Sequence, residues 1–370
     1  MGNANKKKKA KGNEENKKTS ENVNNSKITE QNIINEIKEI LEKPKNTQIK
    51  LNLINTQDHS AVDDKIEEVF TIPDLPNTII IGCRAGDIKE ISEVSTFHQL
   101  HDFSNILTLY SFSKRLYSLI LLNKTTKLCA GLQNEIVILQ LKLKDKHKLE
   151  KENEYILKSE GPIHSLLELK NGNIISAGSN IILWQKNSSL NYEQVKSISI
   201  GNSRIINLVE FPDYNTIIAT QENTHILYLL KNNGNSIDLI QNVENVPSIW
   251  YKGSAQYLSK NAMLLVGKFE LNAIDSQNGV VISRYPGIDK GTLLKIKLQG
   301  KDFWIVSDFY GKYFEFYEQE DNDLLFYEKV ELEDNEIYKW GHKLVKINDE
   351  IFAATNHYGR FFVYQIIKNK

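Results

Sequence analysis

Residues 167–185 read LELKNGNIISAGSNIILWQ. The stretch leaves one apolar strand, turns at Lys170-Asn171-Gly172, follows a second apolar strand to the small Ala177, and turns again into the aliphatic run Ile181 to Trp184. Asn and Gly tolerate the dihedrals that such tight turns demand. The same order of apolar triplet, small residue, turn and apolar strand occurs seven times along the chain. Its small residues are Gly82, Ala130, Ala177, Ala219, Gly267, Ser307 and Thr355, spaced 48, 47, 42, 48, 40 and 48 apart.

A strand-turn-strand unit repeating every 40 to 50 residues is the mark of a β-propeller, each repeat being one blade. The expected fold is all-β: a seven-bladed β-propeller of four-stranded antiparallel blades over residues 47–370. First strands are expected at Ile163 to Leu169 and Thr292 to Leu298. Third strands fall at Ile181 to Trp184, Ile226 to Leu229 and Phe361 to Tyr364, and polar outer strands at Tyr192 to Ile200 and Val280 to Tyr285. The last blade runs out after three strands. The alternating segment Gln48 to Asn55, QIKLNLIN, is expected to supply its fourth and close the ring, which removes both free sheet edges.

The segment before that strand divides in two. Residues 1–27 hold eight Lys and three Glu with almost no large apolar residue, the composition of a disordered basic leader. Residues 28–43 carry Ile33, Ile34, Ile37, Ile40 and Leu41 at helical spacing behind Thr29, and end at Pro44, which predicts a short amphipathic helix docked on the propeller's side. The remaining 343 residues sum to a net charge of −6, so a wholesale nucleic-acid surface is not expected. No stretch approaches the length of an apolar membrane span. The leader lacks the apolar core of a secretory signal, and Cys83 and Cys129 read as reduced core residues, which places the chain in the cytoplasm.

Residues 167–185 resemble a WD repeat: a first strand, an Asn-Gly turn, a small-residue step and an aliphatic strand ending in Trp184-Gln185. In most members that strand ends in Trp-Asp, and an upstream Gly-His contacts an Asp in the hairpin. Here Gln185 replaces the Asp, and Gly341-His342 is the one Gly-His dipeptide. The resemblance covers roughly Gln48 to Ile367 in period and pattern. It implies a diverged WD-repeat-like propeller, a non-enzymatic scaffold that grips partner peptides where the fourth-to-first and second-to-third strand loops emerge.

Arg is scarce, with Arg84, Arg115, Arg204, Arg284 and Arg360 the five among 46 basic residues. Arg84 and Arg360 fall in second-to-third strand turns, Arg115 and Arg204 at the start of first strands, and both loop classes are expected on one face. Guanidinium forks suit carboxylate or phosphate, so the expected ligand is an acidic or phosphorylated peptide. Trp250, Tyr251, Phe309, Tyr310, Tyr338, Trp340, His357 and Tyr358 are assigned to the same face, and aromatics with Arg concentrate interface energy. The acidic run Glu315 to Glu336 is expected to be a solvated rim of blade six.

His98 and His101 lack a third ligand nearby, and Asp321-Asn322-Asp323 lacks the Gly and distal Glu of a calcium loop, so neither predicts a metal. No cofactor motif is present. The expected function is a scaffold or adaptor for protein partners, monomeric or within a larger complex. The alternative is a peripheral membrane adaptor, with Gly2 as N-myristoylation acceptor and Lys6 to Lys9 drawn to an anionic membrane. Under that alternative the chain is membrane-associated, and a nuclear-import role for the Lys cluster is a further one. An enzyme with a site in the central channel would need convergent acids that the sequence does not display.

Overall fold

The computed structural model describes residues 49–57, 65–73, 75, 78–91, 106–122, 126–145, 148–187, 191–200, 204–249, 252–267, 270–287, 290–308, 310–332, 341–356 and 361–368. The leader with Gly2, the helix expected over 28–43 and the pair His98 and His101 lie outside them. Among the described residues there are 28 strands, β1 to β28 in chain order, in seven antiparallel sheets of four. Six blades are consecutive in sequence, from residues 66–111 to residues 290–331. The seventh has the strand order Ile49–Gln57, Phe361–Lys368, Ile351–Asn356, Gly341–Lys346.

That seventh sheet carries the expected closure. Strand β1 (Ile49–Gln57) pairs with β28 (Phe361–Lys368) in register from Ile49 opposite Lys368 to Gln57 opposite Phe361. The Ile49 amide also donates to Glu328 Oε2 at 2.6 Å, which ties the closing strand to the outer strand of blade six, β25 (Asp323–Glu331). The leading strand thus seals the ring by pairing within one blade and hydrogen bonding to the next.

Every small residue of the repeat lies in or just beyond a second strand. Ala130, for example, is in β7 (Lys127–Gly131) and Ala219 in β15 (Thr216–Gln221). These strands are covered on both faces, as the uniform burial of β3 (Ile79–Cys83), β15 and β19 (Ala262–Val266) shows. Crowding between blades explains the small side chains. A Cβ on Gly82 would stand 2.7 Å from Leu116 of blade two, and one on Gly267 2.5 Å from Pro247.

Seven apolar clusters fill the seven blade-to-blade interfaces. Ile80, Ile88, Leu119 and Leu139 join blades one and two, while Ile81, Ile91, Val345 and Val363 join blades one and seven. The aromatic wealth near the C-terminus is largely used between blades six and seven, where Phe314 packs edge-on to Phe352 and Tyr364, with centroids 5.2 and 5.4 Å apart. Each fully buried side chain of this kind contributes about 1.5–3 kcal/mol. Cys83 and Cys129 are free and buried within these layers, and burial pushes the Cys129 thiol far above its ordinary range.

The acidic run differs from its expectation. Glu320, Asp321, Asp323 and Glu331 are solvated, but Glu315 and Glu328 are buried on the hairpin of β24 (Tyr313–Glu320) and β25. Glu315 accepts from the Tyr317 hydroxyl at 2.7 Å and Glu328 from Ile49. The strand period turns these two carboxylates inward, where hydrogen bonds offset their desolvation.

Candidate functional site

The second-to-third strand turns and the starts of first strands share one face, and a repeated backbone bond shows why. Leu116 N donates to Arg84 O at 3.0 Å, Ile163 N to Leu132 O at 3.1 Å and Ile205 N to Gly178 O at 3.1 Å. In blade four the direction reverses, and Asn223 N donates to Ile249 O at 2.8 Å. Each bond joins the turn of one blade to the start of the next. Arg84, Arg115 and Arg204 are therefore carried on one surface.

Arg84 follows β3, and its Nε lies 2.6 Å from Glu67 Oε1. Arg115, just before β6 (Ser118–Leu122), places Nη2 at 3.9 Å from the same oxygen. Two guanidinium groups thus share one carboxylate. Arg115 also lies over the Tyr117 ring, 4.7 Å from its centroid, and Tyr117 meets His164 edge-on at 4.9 Å. Burial first, then Arg204, Lys252 and Arg115, push the His164 imidazole down to about 4, so it is neutral at physiological pH. Arg204, immediately before β14 (Ile205–Phe211), pairs with Glu222 at 3.4 Å.

A bulge explains how Glu67 reaches these arginines. In β2 (Ile66–Thr71), Ile66 pairs with Cys83 and Glu68 with Gly82, leaving Glu67 as the extra residue. Such an insertion re-aims side chains. Glu67 goes to the arginines and Glu68 to a separate group. The same irregularity precedes Asn207 in β14 and Lys343 in β26 (Gly341–Lys346).

Where each innermost strand meets its second strand, it carries a polar residue. In blades two to six these are Ser118, Ser165, Asn207, Ser254 and Thr292, all buried. In blades one and seven they are Glu68 and Lys343, whose Nζ lies 3.1 Å from Glu68 Oε2. Lys252, from the start of blade five, joins them: its ammonium pairs with Glu68 Oε1 and donates to the Tyr117 carbonyl at 2.9 Å. Burial alone would raise the Glu68 carboxyl, but the two ammonium groups outweigh it and hold the group below the usual carboxylate range. Burial lowers Lys252, opposed by Glu68.

Lys65 is coupled to Glu67, Arg84, Arg115 and Lys343, and burial lowers its ammonium. The loop face therefore gathers Lys65, Arg84, Arg115 and Arg204 with Glu67 and Glu222, four positive groups with two negative, an arginine mouth beside the separate group of Glu68, Lys252 and Lys343.

Of the residues singled out from sequence, Arg84 and Arg115 are brought together on Glu67, and Arg204 acts electrostatically on His164 of the same group. Tyr310 is exposed in the turn before β24, with Lys312 Nζ 5.8 Å from its ring centroid. Trp250, Tyr251, Phe309, Tyr338, Trp340, His357, Tyr358 and Arg360 lie outside the described residues. Lys65, Glu67, Glu68, His164, Lys252 and Lys343 escaped the sequence reading. A signal existed: opposite the small residue or its immediate neighbour, five blades carry Ser, Thr or Asn, and Glu68 and Lys343 break the series.

In the blade whose sequence lies closest to the WD pattern, Trp184 Nε1 donates to Ser176 Oγ at 2.8 Å within the core. No family model matches the chain, and no curated protein matches it in sequence. By fold, it is similar to a chain in the crystal structure of a mitotic checkpoint complex, with a TM-score of 0.64 and 10% identity, covering 89% of this chain and 97% of that one. At such identity the likeness is one of architecture, and the architecture is a seven-bladed β-propeller.

Proposed function

We propose that the protein is a non-catalytic scaffold that binds protein partners on its loop face, taking an acidic or phosphorylated segment at the mouth of the channel. The observation that carries this reading is the shared Glu67: Arg84 and Arg115 hold one carboxylate between them, beside further cations that outnumber their acids. The local charge opposes that of the body, which sums to −6. A ligand bearing carboxylates or phosphates is drawn to such a focus, and guanidinium forks give it orientation as well as affinity.

A further point favours binding over catalysis: the propeller of similar fold belongs to a protein assembly. Affinity capture with the full chain, followed by mass spectrometry, tests the reading. The double variant Arg84→Ala, Arg204→Ala is expected to fold and to lose the partners of the wild type. An unchanged set of captured proteins would overturn it.

A further inference from the structure

We infer that Lys252 and Lys343, held on Glu68 where innermost strands begin, form an oxyanion site that takes a phosphate or carboxylate group. It uses other residues than the arginine mouth and is independent of whether a partner docks there.

An ammonium has three N–H groups. Among the described residues, Lys252 Nζ is matched by Glu68 Oε1 and the Tyr117 carbonyl, and Lys343 Nζ by Glu68 Oε2 and the Lys252 carbonyl at 3.3 Å. Each lysine retains one donor. Two ammonium groups on one carboxylate leave a net positive charge in a largely buried place, where repulsion between like charges is weakly screened. An incoming oxyanion accepts both remaining hydrogens and neutralises the group.

The site is built rather than incidental. Gly253 N donates to Asn207 Oδ1 at 2.7 Å, and Asn207 Nδ2 donates to Thr220 Oγ1 at 2.9 Å and Ser254 Oγ at 3.2 Å, so a buried amide fixes the turn that carries Lys252. Gly253 adopts φ +83°, and a Cβ there would stand 3.1 Å from Lys343 Nζ, so its missing side chain leaves room for the ammonium. The side chains of Lys252, Lys343 and Glu68 remain 19%, 12% and 16% exposed. Solvent therefore reaches them.

Isothermal titration with inorganic phosphate, and separately with acetate, at constant ionic strength tests the assignment on the full chain. Saturable binding of phosphate alone identifies free phosphate as the occupant. Saturable binding of acetate identifies a carboxylate, such as an acidic side chain. Lys343→Met keeps a neutral Lys252–Glu68 pair and is expected to weaken binding about tenfold or more, as loss of a charge-assisted hydrogen bond does; Lys343→Gln serves if the Met variant fails to fold. Arg84→Ala, Arg204→Ala is expected to keep the binding that Lys343→Met loses, which separates this site from the mouth. No saturable binding of either anion, or binding lost in the Arg variant and kept in the Lys343 variants, would overturn the assignment.

Discussion

Lys252 Nζ donates to the carbonyl oxygen of Tyr117 at 2.9 Å, so the starts of blades five and two meet at the axis of the ring. In a ring of seven no two blades are farther apart than these. With Glu68 from blade one and Lys343 from blade seven, four blades are joined by one ionic group. Removing the shared carboxylate leaves two ammonium groups facing each other, so Glu68→Ala is expected to cost about 3 kcal/mol. Lys252→Met leaves Glu68 paired with Lys343 and should cost about 1–2 kcal/mol. Urea unfolding gives both values, and the reverse order would contradict the shared-carboxylate arrangement.

His164 makes stability depend on pH. Its folded-state value near 4 lies below the ordinary 6.5, so between these limits the unfolded chain binds the extra proton. Stability is therefore full above pH 6.5 and falls as the pH drops towards 4. Partial exposure screens the effect to about 1–2 kcal/mol. His164→Gln should flatten this limb of the stability profile. The depressed Glu68 carboxyl acts in the same sense at lower pH: its contribution is present above the ordinary carboxylate range and is lost as pH falls through its folded value. That lower limb should disappear in Glu68→Ala.

Ring closure depends on a strand far from its partner in sequence. Ile49 is fully buried against Phe352, Phe362 and Tyr364 in the interface of blades six and seven. Ile49→Ala is expected to destabilise the chain by about 2–4 kcal/mol. Removing residues 1–57 should expose the β28 edge and lead to association, seen as a shift in light scattering.

Glu67 competes with any anion for Arg84 and Arg115. Glu67→Gln should free both guanidinium groups and tighten binding of an acidic peptide about threefold to tenfold, more at low salt than at high salt. Fluorescence anisotropy at two salt concentrations reads this. Equal or weaker binding would show that Glu67 does not occupy the ligand's place.

The fold was legible because a propeller repeats its constraints. The crowded second strand needs a small residue in every blade, so Gly82 to Thr355 mark the period, and the unpaired QIKLNLIN segment marks the closure. The loop face was legible too, since turn class alone assigns Arg84, Arg115 and Arg204 to it. The axis was not. Glu68, Lys252 and Lys343 come from three blades and meet only when the ring is closed, and Lys is too common in this chain to stand out. The β2 bulge that separates Glu67 from Glu68 leaves no mark in IEEVFT, and the inward turn of Glu315 and Glu328 was hidden by the charge around them.

The proposed scaffold role requires the arginine mouth to hold an acidic or phosphorylated segment. Its most direct measurement is fluorescence anisotropy of a labelled peptide with one phosphoserine among acidic residues, titrated with the full chain and with Arg84→Ala, Arg204→Ala. Saturable binding by the wild type that is lost in the variant, with both chains melting at the same temperature, is the predicted result. Equal binding by the two proteins, or none by the wild type, would contradict it.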